Sequence, residues 1–200
     1  MTLYPDRPDR PRVAVFARYD FPRADGAGLY ERLDALAAAL GVEHRVLHSI
    51  VGDPATLPSP LRARLGTGLL VVDWPAQHAN DVAHCRATLP QRCADLLAAM
   101  THFAGGGQPV ERVEVRAAFA FARQVRAWGA SAVVSYGLDE GALQAFVAAA
   151  LLDLPHVLLL PDAHGEHTYG QLLPLYAGAA HAIVALGRDV AAAVTARLPA

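Results

Sequence analysis

The chain has 200 residues, 54% of them hydrophobic and 18% charged, with 17 basic against 19 acidic side chains and a formal net charge of -2. That composition excludes intrinsic disorder, a coiled coil and a collagen-like repeat, and it leaves no positive field to attract nucleic acid or an anionic membrane surface. Every basic residue is arginine, and together with the abundance of alanine this points to a high-GC bacterial genome. At this length a single domain over residues 1–200 is the expectation.

Cys85 and Cys93 are the only cysteines, too few for a disulfide framework, so a reducing interior is expected. The first residues, MTLYPDRPDRPR, are polar and proline-rich, without the apolar core of a signal peptide. The longest apolar stretch, residues 143–160, is interrupted by Asp153, Pro155 and His156, so no transmembrane segment is expected. These features together predict a cytoplasmic protein.

In chain order, residues 13–17 (VAVFA) form a compact apolar run that predicts a buried first strand. A loop follows, and then a helix over 29–40 whose predicted inner face is Leu29, Leu33, Leu36, Ala37 and Leu40, stopped by Gly41. Residues 45–51 and 69–72 predict the next two strands. The segment 76–107 is harder to read; only 89–103 looks helical, with Pro90 in its first turn. A helix over 111–128 closed by Gly129 is clear. The alternation then tightens: strand 131–135, helix 139–152, strand 157–160, helix 168–179, strand 182–185 and helix 188–198. Strands and helices alternating at this spacing predict a Rossmann-like, doubly wound α/β fold, with a mostly parallel sheet and helices on both faces. Ligands of such sheets bind at the carboxyl ends of the strands, which singles out the loops 18–28, 73–79, 136–140 and 161–168.

The first of these loops contains Gly26 and Gly28 before a helix, where small residues let a ligand approach the free N–H groups. Arg18 and Arg23 add cations to that loop, although a solvated loop arginine is the plainer reading. The dinucleotide fingerprint wants a third glycine where Glu31 stands, and an acidic side chain there opposes phosphate. An NAD-dependent enzyme is therefore the weakest reading. The densest polar cluster is PDAHGEH, with Asp162, His164, Glu166 and His167 directly after an apolar strand. It is open to three readings: substrate recognition or acid–base work, metal binding through Asp162, His164 and His167, or a polar loop that caps the next helix. His78, His84 and Cys85 are further metal candidates, more simply explained as surface histidines and a buried thiol. Asp139 and Glu140 most simply cap a helix, and Tyr136 in the same loop has two equal readings, a stacking face for a sugar or base or a plain rim residue. Trp74 and Trp128 are read as packing residues, and His48, His102 and His156 have no evident partner.

The segments FARQVRAWGASAVVSYG, EGALQAFVAAALLDLPHVLLLPDAHGEH and LLPLYAGAAHAIVALGRDVAAAV follow one another over 121–194. This order of features, with the opening VAVFARYDFPRADGAGLYERLDALAAALG, resembles the N-terminal domain of GT-B glycosyltransferases of the family-four (group 1) type. The resemblance implies the acceptor-side domain of a nucleotide-sugar-dependent, retaining hexosyltransferase. Its partners are then a nucleotide sugar, a sugar or lipid acceptor and a C-terminal donor-binding domain, with no cofactor and no metal. For location, only this resemblance implies a peripheral position at the inner membrane face. It also implies that His164 lies near the transferred sugar as the catalytic residue. Gly26 and Gly28, with Arg18, Tyr136, Asp162 and Glu166, would border the acceptor or the donor phosphates.

The sequence departs from the family pattern at three places. Ser135 and Tyr136 stand where a histidine is usual, His164 comes late after Pro155, and His181 with Ala185 and Leu186 replace an Asp and a Ser. The residues end about where a linker to the donor domain is expected, so the 200 residues alone are expected to transfer no sugar. The alternatives from other classes are a non-catalytic Rossmann-like binding module and a small metal-dependent hydrolase built on PDAHGEH.

Overall fold

The structure, a computed structural model, describes residues 10–16, 27–50, 62, 69–73, 78–103, 109–161 and 172–198. The strands are β1 (Arg12–Phe16), β2 (Glu43–Ile50), β3 (Leu69–Asp73), β4 (Ala132–Tyr136), β5 (His156–Leu160) and β6 (Ala182–Ala185). The helices are α1 (Ala27–Leu40), α2 (His78–Thr88), α3 (Pro90–Phe103), α4 (Val113–Trp128), α5 (Glu140–Leu152), α6 (Leu173–Ala179) and α7 (Arg188–Thr195). A short 3₁₀ turn, Pro109–Glu111, leads into α4.

The six strands form one sheet in the order β3-β2-β1-β4-β5-β6, and every pairing is parallel. This is the Rossmann-like, doubly wound arrangement, with helices on both faces. Right-handed crossovers explain the two layers. The step from β1 to β2 goes one way along the sheet and places α1 on one face. The step from β4 to β5 goes the other way and places α5 on the opposite face. The order reverses between β1 and β4, which are joined in register from Val13 opposite Ala132 to Phe16 opposite Ser135.

The larger core lies on the α5 side. Ala14 and Phe16 of β1, Val133 of β4, and Leu158 and Leu160 of β5 pack there against Ala142, Leu143, Phe146 and Val147 of α5. Phe16 meets Phe121 of α4 edge to face, with ring centroids 5.6 Å apart. Helix α5 is buried on nearly all sides, from Glu140 to Ala149 and again at Leu151. Its alanines and Gly141 make that possible, since small side chains let the sheet and the neighbouring helices approach from every direction. Helix α4 ends in a Schellman motif: Gly129 donates to the carbonyl of Arg126 (3.0 Å) and Ala130 to that of Val125 (3.1 Å). Gly129 has φ 74°, the left-handed conformation that closes this motif.

Two expectations need correction. Among the described side chains of α1, the expected Leu33 and Ala37 face inward together with Tyr30, whereas Leu36 (53%) and Leu40 (65%) are exposed; the Leu29 side chain lies outside the described residues. The spacing 30-33-37 is helical; the leucines merely outnumbered the tyrosine that does the packing. Helix α2 was not foreseen. It buries only Asp81, Val82 and Cys85 among its described side chains, too thin a stripe to stand out. The remaining strands agree with expectation to within about two residues at each end.

Among the described residues, the face of β4–β6 opposite α5 is only partly covered. Val134, Tyr136, Val157 and Leu159 are partly buried there, and Val184 is 41% exposed. Leu186, just after β6, is 54% exposed. Strand β6 ends the strand order, so its outer edge has no strand partner among the described residues.

Candidate functional site

In an open parallel sheet, a crevice forms at the carboxyl ends of the strands where the strand order reverses. Here that point lies between β1 and β4, and its described wall is the turn from β4 into α5. Tyr136 ends β4, partly buried, with its side chain on the sheet face opposite Ser135. Gly137 follows with φ 96°, and its N–H donates to the carbonyl of Leu159 on β5 at 2.8 Å. That conformation lets the chain turn off the strand, and a side chain at this position would strain it.

Asp139 is the N-cap of α5. Its Oδ1 accepts from the N–H of Gly141 at 2.8 Å, as capping geometry requires. Glu140 sits in the first turn, buried, and its Oε1 accepts from Nε2 of Gln144 at 2.6 Å. Two carboxylates thus occupy a helix N-terminus whose dipole favours negative charge. A bare N-terminus at this place would take a phosphate. This one is occupied by its own side chains, Asp139 capping Gly141 and Glu140 bonded to Gln144.

Of the residues singled out in the sequence, Tyr136 reaches the reversal point, together with the Asp139–Glu140 pair. Gly28 lies in the first turn of α1, the helix that follows β1. Arg18, Gly26, Asp162, His164 and Glu166 lie outside the described residues, as do Arg23 and His167.

Behind the turn lies a polar pair that the sequence did not reveal. Ser135 Oγ and His156 Nε2 are 3.0 Å apart across β4 and β5, both fully buried. His156 Nδ1 has no hydrogen-bond partner among the described residues. The backbone N–H of His156 donates to Nδ1 of His181 at 3.4 Å. Burial, aided by the neighbouring His181, pushes the His156 pKa down to about 4, so the imidazole is neutral at physiological pH. The pair is enclosed against the α5 side of the sheet and serves packing.

Cys85 and Cys93 are free and buried. Burial raises both thiols above their ordinary range, so neither is a ready thiolate. Among the described residues, no group of three His, Cys, Asp or Glu side chains is placed to hold a metal ion. His84 lies exposed on α2. Trp128 is a packing residue, as expected, with the guanidinium groups of Arg45 and Arg12 over its ring at 4.7 Å and 5.9 Å. Among the described residues, no helix is long and apolar enough to cross a membrane.

No protein-family model matches the chain, and no curated protein matches it in sequence.

Proposed function

We propose that this chain is the acceptor-side domain of a nucleotide-sugar-dependent, retaining glycosyltransferase. The observation that carries this reading is the turn from β4 into α5. At the reversal point of the sheet it joins Tyr136, partly buried at the end of β4, to a helix N-terminus already occupied by Asp139 and Glu140. Such a wall suits a polyol and disfavours the diphosphate of a sugar donor, which a second domain would hold instead. The partly covered apolar face of β4–β6, with Val184 and Leu186 exposed, supports a chain that works against a further surface.

In the transition state of sugar transfer the reacting carbon carries oxocarbenium-like charge, while the leaving diphosphate gains negative charge. The acceptor side has a different task. It holds the incoming hydroxyl at the reaction distance, which replaces a bimolecular encounter with a positioned one. His164, taken from the family resemblance, is proposed to hold the transferred sugar by a hydrogen bond.

A second reading, a non-catalytic saccharide-binding module, draws on the same turn: Asp139 and Glu140 are engaged in capping and in the bond to Gln144, which is a structural use of both acids. Calorimetric titration with mono- and disaccharides, and with a nucleoside diphosphate as control, tests the part common to both readings. Saccharide binding weakened at least tenfold by Tyr136→Ala, about 1.4 kcal/mol, is expected. Tighter binding of the nucleoside diphosphate than of any saccharide would contradict it. To separate the two readings, a donor-binding domain of this enzyme class is added: transfer to the bound saccharide supports the first, and binding without transfer supports the second.

A further inference from the structure

At the opposite end of the molecule, where α2, α4 and α5 finish, a groove opens between the helices. Its larger part has a volume of about 420 Å³ and is lined by Cys85, Leu89, Ala122, Arg123, Arg126 and Leu151, among others. A second hollow of about 270 Å³ continues it past Arg92, Ala130 and Leu154, and Leu89, Arg126, Leu151 and Leu152 belong to both. The larger part alone has the size of a small-molecule site. Because α4 runs into β4 and α5 into β5, this groove lies at the amino ends of the strands, away from the reversal point.

Its charges are arranged at the rim, over an apolar floor. Arg123 pairs with Asp81. Arg92 pairs with Asp153 at 3.0 Å and also donates to the carbonyl of Leu151 at 3.4 Å. Arg126, which stands where the two hollows join, makes no ion pair among the described residues. The carbonyls of Arg126 and Val125 at the end of α4 accept from Gly129 and Ala130, and that of Trp128 accepts from Arg12. His84 on the α2 side is the other titratable group at the larger hollow besides Cys85. Among the described residues, Arg126 is thus the rim charge with no ionic partner, and the floor below it is mostly leucine and alanine.

We infer that this groove binds a small amphiphilic monoanion, with its carboxylate on Arg126 and its alkyl tail along the partly exposed Leu89, Leu152 and Leu154. The size, the apolar floor and Arg126 at the junction, without an ion pair among the described residues, each match one part of such a molecule. The head supplies the counter-charge, and the tail removes apolar surface from water at about 25 cal/mol per Å². The inference is independent of the saccharide reading, since the two sites lie at opposite ends of the strands.

Octanoate, 1-octanol and acetate separate the contributions of head and tail. By calorimetry on the whole chain, octanoate is expected to bind at least tenfold more tightly than either octanol or acetate. Arg126→Gln should reduce octanoate affinity to that of octanol while leaving octanol unchanged. Ala127 is exposed at the rim, so Ala127→Trp narrows the groove without disturbing the core and should weaken both. No octanoate binding up to its solubility limit, or octanoate binding unchanged by Arg126→Gln, would overturn the inference. Saccharide binding at the β4–α5 turn should be the same with and without octanoate.

Discussion

Protonating His156 would place a charge inside the core on the α5 side, with Ser135 as its one side-chain hydrogen-bond partner among the described residues. In the unfolded chain the same imidazole titrates near its ordinary value of 6.5, whereas in the fold it is pushed down to about 4. Between those values the unfolded state holds more protons, so stability falls as pH falls through this window. Going from pH 7.5 to pH 5 should cost about 2 kcal/mol from this residue, given 1.36 kcal/mol per pKa unit. Urea unfolding of the protein and of His156→Gln at both pH values checks this; the variant should lose less stability on acidification. Equal losses would mean that the acid sensitivity lies elsewhere. The pairing of Ser135 with His156 was not legible beforehand. It depends on β4 lying beside β5 with Val133 opposite His156, and alternation within one strand says nothing about register with the next.

Among the elements, α5 shows what the sequence conveyed and what it hid. The run EGALQAFVAAALL reads as a helix from its composition alone, and Asp139 as its cap, and both are correct. Its central position follows from the same residues, because a helix apolar on all sides must be enclosed. Ala148 is fully buried, so Ala148→Leu should overpack the core and destabilise by about 1–3 kcal/mol. Ala150, exposed on the same helix, should accept leucine with little change. Comparison of the two denaturation midpoints tests this, and equal midpoints would contradict the enclosed position of α5. Helix α1 was the opposite case. Its alanines give little contrast between faces, so the leucines at 36 and 40 suggested an inner stripe that Tyr30, Leu33 and Ala37 in fact provide.

For the whole molecule, alternating strands and helices were enough to predict the doubly wound sheet, since parallel strands need long crossovers and those crossovers have one hand. The order β3-β2-β1-β4-β5-β6 fixes where the crevice lies. The chemistry of the crevice was less legible. Asp139 and Glu140 were readable as capping residues, but their place at the reversal point of the sheet needed the strand order. The partly covered face of β4–β6 was equally hidden, because Val134, Val157 and Val184 read as ordinary strand residues until their common face is known.

The central claim is that a saccharide, and not a nucleoside diphosphate, occupies the wall made by the β4–α5 turn. Titrating the ¹⁵N-labelled chain with saccharides and following its amide resonances tests it most directly. The largest shifts are predicted at Tyr136, Gly137, Leu138 and Glu140, with none of that size when a nucleoside diphosphate is added. Shifts in this turn produced by the nucleoside diphosphate and absent with every saccharide would contradict the claim.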